Sequence, residues 1–588
     1  MTATGLAAAR DPAYSWHNVT VGGGGFSPAI IFSRAEAGLA YLRTDIGGIY
    51  RWDQADGTWL PLQDEFSEGN YFGIESIALD RHDPKVVYAA AGMYHSFPAA
   101  LLRSTNRGQS WRILPVPFRM GGNEDGRGVG ERLSLDPNDP DILYFGSRFD
   151  GLQRSADRGA SWEKVASFPY AGEGVPAGHH TRTGISFVVF DPRTGHLGRP
   201  TGTVFVGVAE SGEHHIFRTR DAGVTWSAVP APPRQGLLPV QARLDGGVLY
   251  VTWSNSTGPG GASDGAVYKL NTGGDRWTDI TPDRSSASAY MGLSLDSQRP
   301  GTLLVASLDR YHSGDAIWRS HNGGDSWQNL RELSTRDVSA TPFLTWGDSE
   351  PAFGWWMASI AVDPFDSSHA AYTTGATIYA THQLEETDSA RPVSWKPWVK
   401  GVEETAVITL TSPPLGPHLY SGFGDIGGYA HLDLAVSPPM FDHPALNNTN
   451  SIDYAGANPA IVARSGVPRH NGPSLAWSDD YGRSWQPITT PAPEVANTGL
   501  ITSADGAVFV LMTPIPQVSR DHGRSWLPLP LPAYSRVISD RVDPQRLYAL
   551  DFHAATFWSS NDAGLTFEPL SSQGLPHTLS SDEPSNPE

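Results

Sequence analysis

The sequence predicts an all-β protein of tandem β-propellers: a seven-bladed N-terminal ring followed by a second, C-terminally incomplete propeller. Three observations carry this prediction. A phrase of the form Ser/Thr-x-Asp/Asn-x-Gly-x-Ser/Thr-Trp keeps returning, its copies lie about fifty residues apart, and the composition is rich in turn formers and aromatics. The 588 residues include 63 Gly, 47 Pro and 19 Trp, which suits many short strands joined by tight turns and disfavours helical bundles. With 39% apolar and 18% charged residues, the chain can bury large cores and lacks the composition of a disordered polymer.

The phrase runs from Ser104 to Trp111, Ser155 to Trp162, Thr219 to Trp226, Ser320 to Trp327, Ser478 to Trp485, Ser519 to Trp526 and Ser560 to Phe567. Worn copies end at Trp59, Trp277 and Trp395. From Trp59 to Trp395 the aromatic ends are separated by 52, 51, 64, 51, 50 and 68 residues, the repeat expected of a four-stranded sheet with its loops. Each unit opens with an apolar run closed by an acidic turn, such as Leu133 to Pro137 or Ile360 to Pro364, and continues with a second short strand such as Ile142 to Phe145. The phrase then joins the last two strands. Its Asp or Asn accepts hydrogen bonds from the turn's own amides, Gly tolerates positive φ, and the aromatic buries between sheets. This is an Asp box, and Asp157, Asp221, Asp480, Asp521 and Asp562 are read as structural. Seven units fit before Gly401, and the 188 residues that follow, with three boxes, hold fewer than four blades. The expected domains are a ring over 1–400, a partial second propeller over 401–570 and a polar, disordered tail over 571–588.

Charge and composition exclude several function classes. A net charge of -20 repels polyanions, so no nucleic-acid partner is expected. The absence of cysteine removes disulfides, thiolate metal sites and cysteine nucleophiles together. No apolar run approaches the roughly 20 residues of a membrane span, and Met1 to Pro12 lacks the apolar region of a signal peptide. His179-His180 and His214-His215 lack helical metal-site spacing. Gly22 to Gly25 lacks the Lys of a phosphate loop, and Gly261 to Gly265 sits between strands where a nucleophile elbow needs a following helix. No metal or organic cofactor is implied, and a monomer is expected.

Outside the boxes, one phrase occurs nearly twice, Asp45-Ile-Gly-Gly-Ile49 in the first unit and Asp425-Ile-Gly-Gly-Tyr429 near the start of the second set. If the two propellers face each other, equivalent turns bring a carboxylate to each wall of one cleft, with glycines allowing close approach of a ligand. Opposed carboxyls are what glycoside hydrolysis requires, one protonated and one ionised. The bland alternative is a strand-end turn used twice.

Longer phrases bear on that choice. Tyr14 to Val19, Gly22 to Pro28 and Arg43 to Trp52 closely resemble the opening of glycoside hydrolase family 74, the xyloglucanases. So do Gly121 to Arg127 with Gly130 to Leu133, Phe353 to Met357, Asp363 to Asp366 with Thr374 to Tyr379, Gly401 to Val407, and Asp453 to Pro459. The resemblance runs in order from Tyr14 to Phe567. It implies two propellers around a wide cleft and inverting endo-hydrolysis of xyloglucan or related β-glucans, with Asp45 as general base and Asp425 as general acid. In an inverting site the carboxyls stand about 6.5 to 9.5 Å apart. The acid needs burial or a like charge to stay protonated, and the base needs donors that keep it ionised.

Trp355, Trp356, Asn123, Arg127 and Tyr429 are the expected substrate-binding residues. Were Trp355 and Trp356 in a strand, one would be core and the other a sugar platform. Arg127 has a competing reading as a brace for its loop with Glu131. The short segment Ser334 to Phe353 offers no plug for the cleft, which favours internal attack on the chain. A polysaccharide substrate implies a secreted or periplasmic enzyme. Sialidase is disfavoured, since no Phe/Tyr-Arg-Ile-Pro phrase occurs. The alternatives are a non-catalytic Asp-box binding propeller, which leaves the paired Asp-Ile-Gly-Gly phrases unexplained, or a catalytically impaired truncated homologue. A second ring short of its closing blades would leave unpaired sheet edges, so truncation or an unconventional closure, with weak or absent activity, is expected.

Overall fold

The computed structural model describes residues 15–170, 182–284, 287–310, 314–346, 351–489 and 498–570. The expected tail at 571–588 and the pair His179-His180 lie outside the described residues. Almost all regular structure is antiparallel sheet. In chain order, four-stranded meanders occupy residues 29–61, 74–115, 133–164, 185–228, 238–279 and 290–329, and a seventh sheet at 360–397 gains a parallel strand, Ser334–Arg336.

These seven sheets pack in a cycle. From the second to the seventh, the first strand of each lies against the first strand of the next, and Ala29–Phe32 of the first sheet returns against Ile360–Asp363 of the seventh. The closing seam is apolar and hydrogen-bonded. Trp59 donates from its backbone N to the Lys400 carbonyl at 2.8 Å and from Nε1 to the Trp398 carbonyl at 2.7 Å, while the Trp52, Trp59 and Trp398 rings meet at 4.8 to 5.4 Å. Burying side chains of this size stabilises by about 2 to 3 kcal/mol each.

The Asp boxes fold as their chemistry dictates. In the box at Ser155, the Gly159 N–H donates to Ser155 Oγ at 2.8 Å, Ser155 Oγ donates to Asp157 Oδ1 at 2.8 Å, and Ser161 donates to Asp157 from both N and Oγ. The bonds recur at Asp221, Asp480, Asp521 and Asp562, and hydrogen bonding from Thr225 pulls the Asp221 carboxyl down to about 2. Box aromatics tie each sheet to its predecessor, as when Trp111 Nε1 donates to the Leu62 carbonyl at 3.0 Å and Trp327 Nε1 to the Ile280 carbonyl at 2.7 Å.

Beyond residue 401, sheets at 407–431, 446–488, 500–528 and 536–569 pack in a row, the first with three strands and the others with four. The expectation of fewer than four units came from allotting about fifty residues to each, whereas four sheets fit between residues 407 and 569, the first of them without a box. The outer ends of the row expose Val407 and Leu410 on one side and Ile538 and Val542 on the other. Residues 334–346 form a bridge: Val338, Phe343, Leu344 and Trp346 are buried in one cluster with Phe423, Ile426 and Tyr429 of the second set. Among the described residues no helix is long and apolar enough to cross a membrane.

Candidate active site

Asp45 and Asp425 occupy the same kind of place, the turn between the second and third strands of their sheets. Thr44 shapes the first turn, accepting from the Gly47 N–H at 2.8 Å and donating from Oγ1 to the Gly48 carbonyl at 2.9 Å. Gly48 sits at φ +84°. In the second turn Phe423 N donates to the Gly427 carbonyl at 2.8 Å, and Asp425 itself adopts φ +69°, a conformation that Asp tolerates better than most side chains. Asn448 Oδ1 fixes it by accepting from the Asp425 N–H at 2.9 Å.

The two turns meet the segment that carries Glu404, at the root of the second set: the Asp45 turn packs on Glu404 itself through Gly47, and in the other turn the Gly424 N–H donates to the Ala406 carbonyl at 2.9 Å. Gly47 is indispensable to that approach, since a Cβ there would lie 2.5 Å from Glu404 Cγ; one on Gly25 would overlap its carboxyl. On the other side, a Cβ on Gly24 would lie 2.7 Å from Ile426, the neighbour of Asp425. The Asp45 and Glu404 carboxyls are in hydrogen-bonding contact, and Glu404 also feels the charge of Asp425.

Burial differs across this trio. Asp45 is 5% exposed and Glu404 1%, whereas Asp425 is exposed. Burial pushes the Asp45 carboxyl up from its ordinary value, opposed by the Arg127 guanidinium. Glu404 is driven well above the usual carboxylate range by burial first and then by the Asp45 charge. The expected general acid is therefore not the residue that the fold buries.

Arg127 and its loop are built around Asp45. Arg127 Nε donates to Asp45 Oδ2 at 2.8 Å, and its guanidinium lies 5.1 Å over the Phe26 ring. Arg43, buried in the strand leading to Asp45, donates to the carbonyls of Arg127 at 3.0 Å and Val129 at 3.3 Å. Beneath, Glu75 is clamped by Arg132 at 2.7 Å and Arg148 at 2.9 Å. Burial would raise the Glu75 carboxyl, but Arg148 and Arg132 outweigh it and hold it at about 2.

The other expected site residues fare unequally. Arg127, expected to bind substrate or to brace its loop with Glu131, pairs with Asp45, while Glu131 pairs with Arg43 at 3.1 Å. Tyr429 does not face substrate: it is fully buried, its hydroxyl donating to the Ile426 carbonyl at 2.7 Å. Its strand, Gly428–His431, turns that side inward against Phe343 and Phe423. Trp355 and Trp356 are not in a strand, Trp356 standing at φ +55° in a bend. Both are half-buried, Trp355 edge-on to Trp346 at 4.9 Å and Trp356 edge-on to Phe26 at 5.9 Å. A chain of contacts thus links Trp356 through buried Phe26 to Arg127 and Asp45.

Asn123 donates from Nδ2 to Tyr94 Oη at 2.9 Å, beside two side chains that sequence reasoning missed, Tyr94 at 41% and Phe97 at 59% exposure. Their turn is the second sheet's counterpart of the Asp45 turn. That equivalence of position, more than any motif, was the signal that could have found them. Glu404 was also missed as a site residue, although it stands inside a quoted phrase. Among the described residues no group of three or more His, Asp or Glu side chains is arranged to hold a metal.

No family model matches the chain. It is 40% identical to a xyloglucanase of Paenibacillus sp over 97% of this chain and 59% of that protein. It is 36% identical to an oligoxyloglucan-reducing end-specific xyloglucanase of Emericella nidulans over 97% of this chain and 81% of that protein. Among solved structures, the xyloglucanase of Xanthomonas campestris superposes with a TM-score of 0.89 at 36% identity, covering 95% of this chain and 81% of that one. The chain thus spans about three fifths of the length of the first of these relatives and about four fifths of the other two.

Proposed function

The chain belongs to glycoside hydrolase family 74, the xyloglucanase family, and from that premise we propose that it is an inverting endo-β-1,4-glucanase of xyloglucan. Asp45 acts as general base on water and Asp425 as general acid on the departing glycosidic oxygen. The observation that carries this reading is the meeting of the two Asp-Ile-Gly-Gly turns, from separate sets of sheets, on the segment that carries the buried Glu404. We read the first seven sheets as the blades of one propeller and the row after residue 401 as part of a second.

Asp45 has what a base needs: a cation on one oxygen, little water and a raised affinity for the proton it must take. Asp425 stands open in the free protein, so a bound sugar must supply the burial that keeps it protonated. Half-buried Trp355 and Trp356 supply apolar faces for pyranose rings, and exposed Tyr94 and Phe97, with Asn123 beside Tyr94, supply others. The bridging use of residues 334–346 favours a cleft along which a polymer can lie, hence internal cleavage. A polysaccharide substrate favours secretion.

Reducing-sugar release from purified xyloglucan tests the reading. Asp45→Asn and Asp425→Asn should each lose about 10²-fold to 10⁴-fold in kcat while circular dichroism shows them folded. Near wild-type release from either variant would remove that aspartate from the chemistry. A fall in polymer viscosity ahead of reducing-end release would mark internal attack, and the opposite order would mark chain-end attack.

A further inference from the structure

Glu404 is a fully buried carboxyl on the segment that both candidate catalytic turns meet. Neither of its oxygens meets an N–H or hydroxyl donor among the described residues, and what it does meet is the Asp45 carboxyl. The glycine at position 47 and the one at position 25 are carved away to admit it. Such a group is expensive to bury unless it is neutral.

Two carboxyls in contact inside a protein do not both ionise, so the pair holds one proton. Arg127 decides which member has it, because its guanidinium is bonded to Asp45 and not to Glu404. A proton on Asp45 would leave the cation beside a neutral acid and a negative Glu404 with the Asp45 O–H as its one donor and no cation bonded to it. A proton on Glu404 leaves Asp45 as the anion between a guanidinium and an O–H donor, the arrangement that a general base requires.

We propose that Glu404 is a positioning residue of the hydrolytic site, a neutral carboxylic acid whose O–H donates to Asp45 and keeps Asp45 ionised and aimed while Arg127 holds its other side. The groups facing Glu404 are Asp45 and Arg127 from the first sheets, Tyr50 beside the Asp45 turn, and Asp425 from the second set. Asp425 and Asp45 both disfavour a negative charge on Glu404, and Arg127 alone opposes them. The inference rests on the proposed hydrolytic function, but its first test does not.

Difference infrared spectroscopy reads protonated carboxyls directly. At pH 7 the wild-type protein should show, beside the band that Glu403→Gln removes, a protonated-carboxyl stretch that disappears in Glu404→Gln and persists in Asp425→Asn. Its absence from the folded wild type, or its survival in Glu404→Gln, would overturn the proposal whatever the enzyme cleaves. If xyloglucan is hydrolysed, the pH dependence of kcat/KM is the second readout. Glu404→Gln keeps a donor to Asp45 and should lose less than about tenfold with the acid limb in place. Glu404→Leu removes the donor and should lose at least about 10²-fold, with the acid limb moved up by about one pH unit as Asp45 becomes harder to ionise. Folded Gln and Leu variants with the same acid limb would reduce Glu404 to packing and overturn the proposal. A failure to hydrolyse xyloglucan with the infrared band present would count against the function alone.

Discussion

At the scale of single residues, the chemistry of this protein is set by which carboxyls are buried and what they touch. Glu403, next to the proposed positioning residue, accepts hydrogen bonds from the backbone of Val21 at 2.9 Å and Gly22 at 3.2 Å, and burial pushes its carboxyl up to about 7. The native chain therefore holds a proton that the unfolded chain releases near pH 4.5. Glu403 should cost the fold stability as pH rises from about 4.5 to 7. At about 1.4 kcal/mol per pH unit the loss is at most roughly 3.5 kcal/mol. Glu403→Gln should flatten the decline in Tm between pH 5 and 8, and an unchanged slope would assign the decline to other groups. The matching placement of the two Asp-Ile-Gly-Gly turns was legible because a rare phrase is written twice. The place of Glu404 was not, because the glycines that make room for it stand hundreds of residues upstream. Tyr429 was misread because adjacency to Asp425 in sequence says nothing of which side of a strand faces the core.

At the scale of elements, the Asp boxes were legible in full because they are local: every partner of Asp157 lies within four residues of it. Their turns lie between the third and fourth strands, at the sheet ends opposite the strand-two-to-three turns that carry Asp45 and Asp425. Replacing Asp157 by Ala should thus lower stability by about 1 to 2 kcal/mol and leave kcat unaltered. Denaturant midpoints beside turnover rates check this, and a large fall in kcat at unchanged stability would contradict it. Elements made by distant partners were harder to read. The sheet at 407–431 lacks a box and so lacked a marker, and the strand considered for Trp355-Trp356 is instead a bend whose rings meet Trp346 and Phe26.

At the scale of the whole molecule, the two sets of sheets are held in register by a shared core centred on Trp346. Its ring meets Phe343 at 6.0 Å and Trp355 at 4.9 Å, with the Arg469 guanidinium 5.3 Å over it from the second set. Trp346→Ala should cost about 3 to 5 kcal/mol, felt mainly between the sets. Proteolysis near residues 401–406 should then accelerate and kcat/KM fall by at least tenfold, because the Asp425 turn is no longer fixed against Asp45. Unchanged proteolysis and activity would relocate the coupling. Cyclic packing was legible from the repeat period, but this junction was not, since its apolar residues lie in a segment with no repeat signature.

The seam between Trp59 and residues 398–400 leads directly into Glu403 and Glu404, which in turn bind the strap from Val21 to Gly25. A ribosome therefore delivers Asp45 early but its acidic neighbour only after the seventh sheet has left the exit tunnel. During synthesis Asp45 can meet Arg127 but not its acidic neighbour, and the carboxyl pair forms only when the start of the chain and its four-hundredth residue find each other.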